Sequence, residues 1–385
     1  MSRLRVLHWP SATGGNPPGL ARAERALGLD SWSIVTRQNY FQYQADEVLL
    51  AQDESRLALE VKRWHVLWRA LREFDILHFN FGQTLMPQQV VRKPEGYSAY
   101  LWRLYRLYAR LVELRDLPLL HWAGKGIVVT FQGDDARQGD FCQAHFALTA
   151  ATEVEAGYYS ASSDQQKRGR IARIARYADC LYALNPDLLY VLPQQTQFLP
   201  YASVDPREWR PVCNSGVRSE KPIVLHAPSH RRVKGTRFVL DAVARLQNEG
   251  VPCEFILVEG LSHTEAQRLY QRADLLIDQL LIGWYGGLAV ELMALGKPVI
   301  CYIRHEDLKF IPAQMRRDLP IINATPTTLY GTLKEWLTTR KHELLEVGRR
   351  SRAYVETWHD PLKIAAGLKA AYEQIVASTQ RRKKR

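Results

Sequence analysis

The sequence predicts an α/β protein made of two doubly wound halves that face each other across a cleft. Three observations predict it. The chain has 385 residues, more than one hydrophobic core ordinarily serves, so two domains are the starting expectation. Short apolar runs alternate with helix-like segments along its length, the grammar of parallel sheets covered on both faces. After Pro206 that grammar restarts with another strand that empties into a loop.

The elements follow in order. "LRVLHWP" (4–10) reads as a first buried strand ended by Pro10, and "TGGNPPGL" (13–20) as a glycine and proline turn carrying Gly14 and Gly15 into a helix. "SWSIVT" is a second strand. Trp64, Leu67, Trp68 and Leu71 recur at helical spacing. "FDILHFNFG" (74–82) and "KGIVVTFQGDD" (125–135) are strands with glycine exits. In the second half, "PIVLHAPS" (222–229) is a strand and its loop, and "KGTRFVLDAVARLQNEG" (234–250) holds a helix closed by Gly250. "CEFILVEG" (253–260) is a strand, and Ser262 with Glu265 forms a capping box for the next helix. "DLLIDQL" (274–280), "KPVICYI" (297–303) and "LPIINA" (319–324) are further strands. Helices are expected around 327–339, 342–357 and 361–376. The expected division is 1–202, 203–357 and a closing segment, 358–385.

Composition narrows the function classes. Apolar residues make up 46% of the chain, which excludes global disorder. No apolar run is long enough to cross a bilayer, and the first residues enter a strand directly, so no signal peptide is expected. Five cysteines, at 142, 180, 213, 253 and 301, lack metal or CxxC spacing and read as reduced thiols of a cytoplasmic protein. No metal site is expected. The net charge of +12 favours polyanionic partners without choosing among them. The tail "RRKKR" (381–385) reads either as a solvated end or as an attachment to anionic lipid. The ten tryptophans form no stacking pattern and no nucleic-acid module is recognisable, so no nucleic-acid partner is expected.

Two stretches of the second half carry chemistry. In "IGWYGGLAVELMALGKPVI" (282–300), Gly283, Gly286 and Gly287 surround a turn that opens a helix. The free N–H groups of such a helix end favour a phosphate. Glu291, one turn inside, is placed to accept hydrogen bonds from the paired hydroxyls of a ribose. The same pattern also fits a purely structural turn with a favourable acid near the helix start. "HAPSHRRVKGT" (226–236) brings His226, His230, Arg231, Arg232 and Lys234 to the mouth of the sheet. Cations there match the charge that grows on a departing diphosphate, or they form a solvated basic loop.

"KGT", "VEG" and "ADLLIDQLLIGWYGGLAVELMALGKPVI", in that order, resemble the donor half of family-4 glycosyltransferases of the GT-B fold, two Rossmann-like domains across a cleft. The likeness is strong over 222–303 and weaker through "TGG", "DILHFNFG" and "VVTFQGDD". It implies a retaining, metal-independent transfer of sugar from a nucleoside diphosphate, with no cofactor beyond that co-substrate. It implies that Lys234 and one of Arg231 and Arg232 hold the phosphates, that Glu291 binds the ribose, and that Gly286 and Gly287 pass close to the donor. Gly14 and Gly15 would complete the phosphate end, and the last helix would cross back to the first domain.

The chain departs from the family in three places. The first of the two family glutamates is Gly283 here; Asp278 either replaces it or is a structural acid. The family histidine near the reacting carbon is Gln132. The family arginine falls where Pro228 and Ser229 stand. Asp134 and Asp135 are candidates for acceptor or donor-sugar hydroxyls, or for turn caps. His78, Asn80 and Gln83 are candidates for acceptor contact, or a satisfied polar loop.

In "YSAYLWRLYRLYARLVELRDLPLL" (97–120), Tyr97, Tyr100, Leu101, Leu104, Tyr105, Tyr108, Leu111 and Val112 share one helical face, with Arg103, Arg106 and Arg110 on another. That suits either a helix lying on a sheet or one lying in a membrane interface. A glycan, lipid-linked or small-molecule acceptor is therefore expected, with an anionic membrane surface as a further partner. Rival readings are a nucleotide-sugar epimerase or phosphorylase of the same architecture, and a non-catalytic nucleotide-sugar or glycan binder.

Overall fold

The structure is a computed structural model that describes residues 3–38, 42–51, 55–89, 98–211 and 221–383. Tyr97, Cys213 and the side chains of the basic tail lie outside the described residues.

The first half runs β1 (Arg5–Trp9), α1 (Asn16–Ala26), β2 (Asp30–Val35), β3 (Glu47–Val48), α2 (Arg56–Glu73), β4 (Ile76–Asn80), α3 (Ala99–Val112), α4 (Asp116–Trp122), β5 (Gly126–Phe131), α5 (Gly139–His145), α6 (Ala161–Ala175), β6 (Cys180–Ala183) and β7 (Gln197–Phe198). Its strands form a parallel sheet in the order β3-β2-β1-β4-β5-β6-β7. Every residue of β4 and β5 is buried, which explains why these strands read as continuous apolar runs rather than alternating ones.

The second half runs β8 (Ile223–His226), α7 (Arg231–Lys234), α8 (Thr236–Asn248), β9 (Glu254–Leu257), α9 (His263–Arg272), β10 (Leu275–Ile277), α10 (Gly287–Ala294), β11 (Val299–Cys301), α11 (Ala313–Asp318), β12 (Ile322–Asn323), α12 (Leu329–Leu337), α13 (Leu344–Trp358) and α14 (Pro361–Lys383). Its strands are again parallel, in the order β12-β11-β10-β8-β9. Each sheet has a switch point, between β1 and β4 in the first and between β8 and β10 in the second. Ligands of open α/β sheets sit in the crevice outside such points.

The halves are tied by buried polar contacts. Asn16 accepts the Ala202 amide at 2.6 Å, and a Cβ at Gly19 would stand 2.3 Å from the Ala202 carbonyl oxygen. Glycine is thus what lets α1 lie directly on the connecting segment. The Arg352 guanidinium of α13 donates to the carbonyls of Pro206, Trp209 and Ala294, fixing that segment against the second half. His359 joins the Tyr201 carbonyl at 2.9 Å and the Tyr285 hydroxyl at 2.8 Å. Helix α14 then lies against α1 and β5 of the first half, and it runs further than the sequence pattern suggests, to Lys383.

Tyr372 of α14 reaches the heart of the first half. Its hydroxyl donates to Glu24 Oε1 at 3.0 Å and lies 2.7 Å from His78 Nδ1. Thr130 Oγ1 is 2.7 Å from His78 Nε2, so the imidazole is the tautomer protonated at Nδ1. Burial, and then the neighbouring His8, hold His78 well below the usual histidine range, so it is neutral.

The amphipathic segment behaves differently from a sheet-covering helix. Helix α3 buries Trp102 and Ala109, while Tyr100, Leu101, Leu104, Leu107 and Leu111 face solvent. In α2, Leu67 is buried but Trp64 and Trp68 point outward.

Tyr372→Phe should lower the unfolding free energy by about 1–3 kcal/mol, because it strands a buried acceptor on Glu24 and a buried donor on His78. Urea denaturation checks this; an unchanged midpoint and slope would contradict the role given to this network.

Candidate functional site

The two switch points face each other across a cleft of about 320 Å³. From the second half it is lined by Lys234, Gly286, Gly287, Leu288, Glu291 and His263, and from the first by Gly14, Tyr43, Gln132, Asp134 and Arg137, among others. The sequence therefore places seven of its candidates on one surface although they are spread over nearly 280 positions: Gly14, Gln132, Asp134, Lys234, Gly286, Gly287 and Glu291.

The turn between β10 and α10 is built around Asp278. Its Oδ2 accepts the Gly286 amide at 2.7 Å, and its Oδ1 stands 3.8 Å from Lys234 Nζ. Lys234 also donates to Gln279 Oε1 at 2.5 Å, and its carbonyl accepts the Leu280 amide at 3.1 Å. The loops after β8 and β10 are thereby one unit. A Cβ at Gly286 would approach Lys234 Nζ to 3.2 Å, so glycine lets the ammonium sit over the helix start. No side chain caps α10. Asp278 is 2% exposed and lies beneath the turn rather than in the cleft lining. That placement fits the structural acid of the two alternatives better than a contact to a donor sugar.

Position 283 has no room for a side chain. Gly283 has φ of 91°, and a Cβ there would lie 2.7 Å from the Arg304 guanidinium. Arg304 is buried, paired with Asp307 at 2.9 Å, bonded to the Leu148 carbonyl at 3.0 Å and packed 3.6 Å over the Phe146 ring. The space beside Gly283 is thus filled by a cation that joins the two halves.

Glu291 is 4% exposed and receives a hydrogen bond from His263 Nε2 at 2.8 Å. The Tyr43 ring, from the opposite half, lies 4.7 Å from the His263 ring and closes this end of the cleft. Burial pushes the His263 pKa down, but the hydrogen bond and charge of Glu291 outweigh it, and the net shift is upward. Across the cleft, Asp134 is held by the hydroxyls of Tyr158 and Tyr159, both at 2.6 Å, and by Arg137 at 2.8 Å. Burial raises its pKa, yet Arg137 and the two hydroxyls bring it below the usual range. Arg137 is itself clamped by Asp187 at 2.7 and 3.3 Å. Gln132 projects its amide to Asn80 Oδ1 at 3.1 Å, and its carbonyl accepts from Asn185 at 2.5 Å.

Several expectations are corrected by placement. His78 is fully buried and bonded to Tyr372 and Thr130, so it does not face an acceptor. Asn80 is also fully buried and acts by holding Gln132. Gln83 is not among the residues lining the cleft. Asp135 accepts the Gln132 and Gly133 amides, the turn-cap alternative, and burial raises its pKa to about 6. Gly15 is not among the residues lining the cleft, and a Cβ on it would stand 3.0 Å from the Tyr43 ring. Arg231 forks onto Glu259 at 2.7 and 2.5 Å and Arg232 meets Glu155 at 2.9 Å, because α7 turns both guanidinium groups outward to acids while Lys234 turns in. His263, Arg137 and Tyr43 went unmarked by pattern. His263 is the first residue after a helix cap, and nothing local signals that Glu291 lies against it. The Asp134/Arg137 spacing, three residues within a turn, is the one local hint.

Among the described residues one group of three potential metal ligands comes together: His8, Glu24 and His78, with ligand atoms within 4.8 Å of one another. Apart from His8 Nδ1, which has no partner, its side-chain nitrogen and oxygen atoms are hydrogen-bonded to one another and to Ser31, Thr130 and Tyr372, which makes it a buried polar network away from the cleft.

No protein-family model and no curated protein matches the chain. Solved structures do match its fold. Sucrose-phosphate synthase (tll1590) from Thermosynechococcus elongatus superposes with a TM-score of 0.60 at 16% identity, over 98% of this chain and 100% of that one. Anabaena Alr3699/HepE, solved with UDP-glucose, gives 0.57 at 13% identity over 98% and 100%. The catalytic domain of starch synthase IV from Arabidopsis thaliana, bound to ADP and acarbose, gives 0.56 at 13% over 98% and 100%. The chain therefore has the GT-B architecture, two Rossmann-like domains across a cleft.

Because the His263 pKa is raised, the imidazolium–Glu291 contact is complete below the ordinary value near 6.5 and is lost as pH rises through the raised value. In Glu291→Gln only the effect of burial remains, so the His263 pKa should fall below 6.5. Histidine titration followed by NMR reads this directly; an unmoved pKa would contradict the pairing.

Proposed function

We propose that the chain is a retaining glycosyltransferase that moves a sugar from a nucleoside diphosphate to a glycan, lipid-linked or small-molecule acceptor without a metal ion, as used in polysaccharide or glycolipid assembly. The observation that carries the reading is the convergence of Lys234, the glycine-led start of α10 and Glu291 in one cleft, opposite Gly14, Gln132 and Asp134. The presence of UDP-glucose in the HepE structure and of ADP in the starch synthase structure supports a donor of this class. Residues 1–202 would serve the acceptor, 203–357 the donor, and 358–385 would tie the two together. Free thiols at Cys142, Cys180, Cys253 and Cys301 suit a reducing, cytoplasmic setting.

In this reading the diphosphate lies between Lys234 and the amides at the start of α10, with the Gly14 backbone on its other side. The ribose hydroxyls donate to Glu291. The sugar faces Gln132, whose amide hydrogen-bonds without titrating, and Asp134, whose lowered pKa keeps it an acceptor for hydroxyls. The acceptor hydroxyl attacks the anomeric carbon on the face from which the phosphate leaves. As the carbon–oxygen bond to phosphate breaks and the new one forms, the hydroxyl proton passes to the departing β-phosphate oxygen. Lys234 and the helix start stabilise the charge growing there, so no pair of acid and base carboxylates is required.

Two observations favour a second reading, a nucleotide-sugar binder without transfer. Arg304 fills the space of the first family glutamate, and a glutamine stands for the family histidine. Release of free sugar or its exchange between nucleotides separates the two readings.

A panel of nucleoside-diphosphate sugars, screened by thermal shift, should contain at least one that raises the melting temperature. Lys234→Ala and Glu291→Ala should each weaken that nucleoside diphosphate by roughly 10–100-fold, the worth of a charge-assisted hydrogen bond, with circular dichroism unchanged. Unaltered affinity in both would reject the site.

A further inference from the structure

Helix α2 exposes an unbroken apolar stripe. Leu57, Val61, Trp64 and Trp68 follow one another at spacings of four, three and four, which stacks them on one face. Helix α3 exposes another, made of Tyr100, Leu104, Leu107 and Leu111, with Leu101 beside it. All nine side chains are between 47% and 75% exposed. The stripes are joined, since Trp64 Nε1 donates to the Tyr108 hydroxyl at 3.0 Å. Single exposed apolar residues are ordinary, but two adjoining helical stripes are not. The outward face of α3 lies opposite its buried Trp102 and Ala109, so the stripe is not the edge of a packed core.

Charge says what covers it. Arg103, Arg106 and Arg110 form an exposed row along one flank of the α3 stripe, and α3 contains no acid. On α2 the Arg72 guanidinium lies 4.9 Å over the Trp68 ring, while Glu60 is buried beside Arg63. A second copy of the chain laid face to face would bring arginine rows together with no acid on α3 to match them. A bilayer with anionic headgroups meets all three features: acyl chains take the leucines, the interface takes tryptophan and tyrosine, and the headgroups take the arginines. Among the described residues no helix is long and apolar enough to cross a membrane, so contact would be with one leaflet.

We propose that the α2–α3 face docks the protein in the plane of an anionic membrane surface. The proposal rests on this surface alone and is independent of the donor-site reading.

The test is sedimentation of the full chain with phosphatidylcholine vesicles and with vesicles containing phosphatidylglycerol. The chain should sediment with the anionic vesicles and much less with the neutral ones, and added salt should weaken binding. Leu104→Ser/Leu107→Ser/Leu111→Ser should reduce binding to anionic vesicles about tenfold or more. Arg103→Ala/Arg106→Ala/Arg110→Ala should reduce the preference for anionic over neutral lipid relative to the wild type. All variants keep the same basic tail, so its attraction cancels, and their melting temperatures report that the fold survives. Absence of vesicle binding, or equal binding by the wild type and both variants, overturns the proposal. So does self-association of the wild type that the leucine variant removes in the absence of any vesicle binding.

Discussion

A buried carboxylate sets the geometry on which the cleft depends. Asp278 holds the Gly286 amide with one oxygen and stands near the Lys234 ammonium with the other. These groups come from loops on either side of the switch point in the second sheet. Without that acid a lysine and a helix start, each drawn to anions and neither to the other, would have nothing between them. Its burial makes these partners matter, since a carboxylate out of water is costly unless it is paired. The cleft thus presents a lysine ammonium beside the amides of a helix start, and Glu291 stands one helical turn further on.

The same economy explains how the two halves stay in register. The connecting segment is fixed at Tyr201 by His359, at Ala202 by Asn16, and further along by Arg352. Helix α14 returns to the first half and ends its hydrogen bonding on His78 and Glu24. Arg304 makes a shorter tie beside the cleft itself, reaching Leu148 and Phe146. Polar anchors of this kind specify one relative placement more sharply than apolar contact does, because a shift of an ångström leaves them unpaired.

Much of this was legible beforehand because parallel sheets write themselves plainly. Buried strands give apolar runs, helix starts give caps, and switch points give loops rich in glycine and charge. That Lys234, Glu291 and Gly286 share one cleft was readable because all three follow strand ends at the mouth of one parallel sheet. Residues whose roles depend on a partner far along the chain were not. His78 looked like a cleft residue because it precedes a glycine exit, yet alternation along β4 turns its ring toward α14. Arg231 and Arg232 were indistinguishable from Lys234 by composition, and only the one-turn helix α7 decides that they point to Glu259 and Glu155 instead. His263 could not be found at all, since its meaning lies in Glu291, 28 residues away. The apolar face of α3 was visible as a pattern, but whether it met a sheet or solvent required the fold.

The central claim is that a diphosphate is held between Lys234 and the start of α10 while Glu291 holds the attached ribose. A crystal structure of the chain saturated with a nucleoside diphosphate tests it most directly. The account predicts phosphate oxygens within hydrogen-bonding distance of Lys234 Nζ and the Gly287 amide, and the ribose hydroxyls on the Glu291 carboxylate. Nucleotide bound elsewhere, with Lys234 still on Gln279 and Glu291 still on His263 alone, would contradict it.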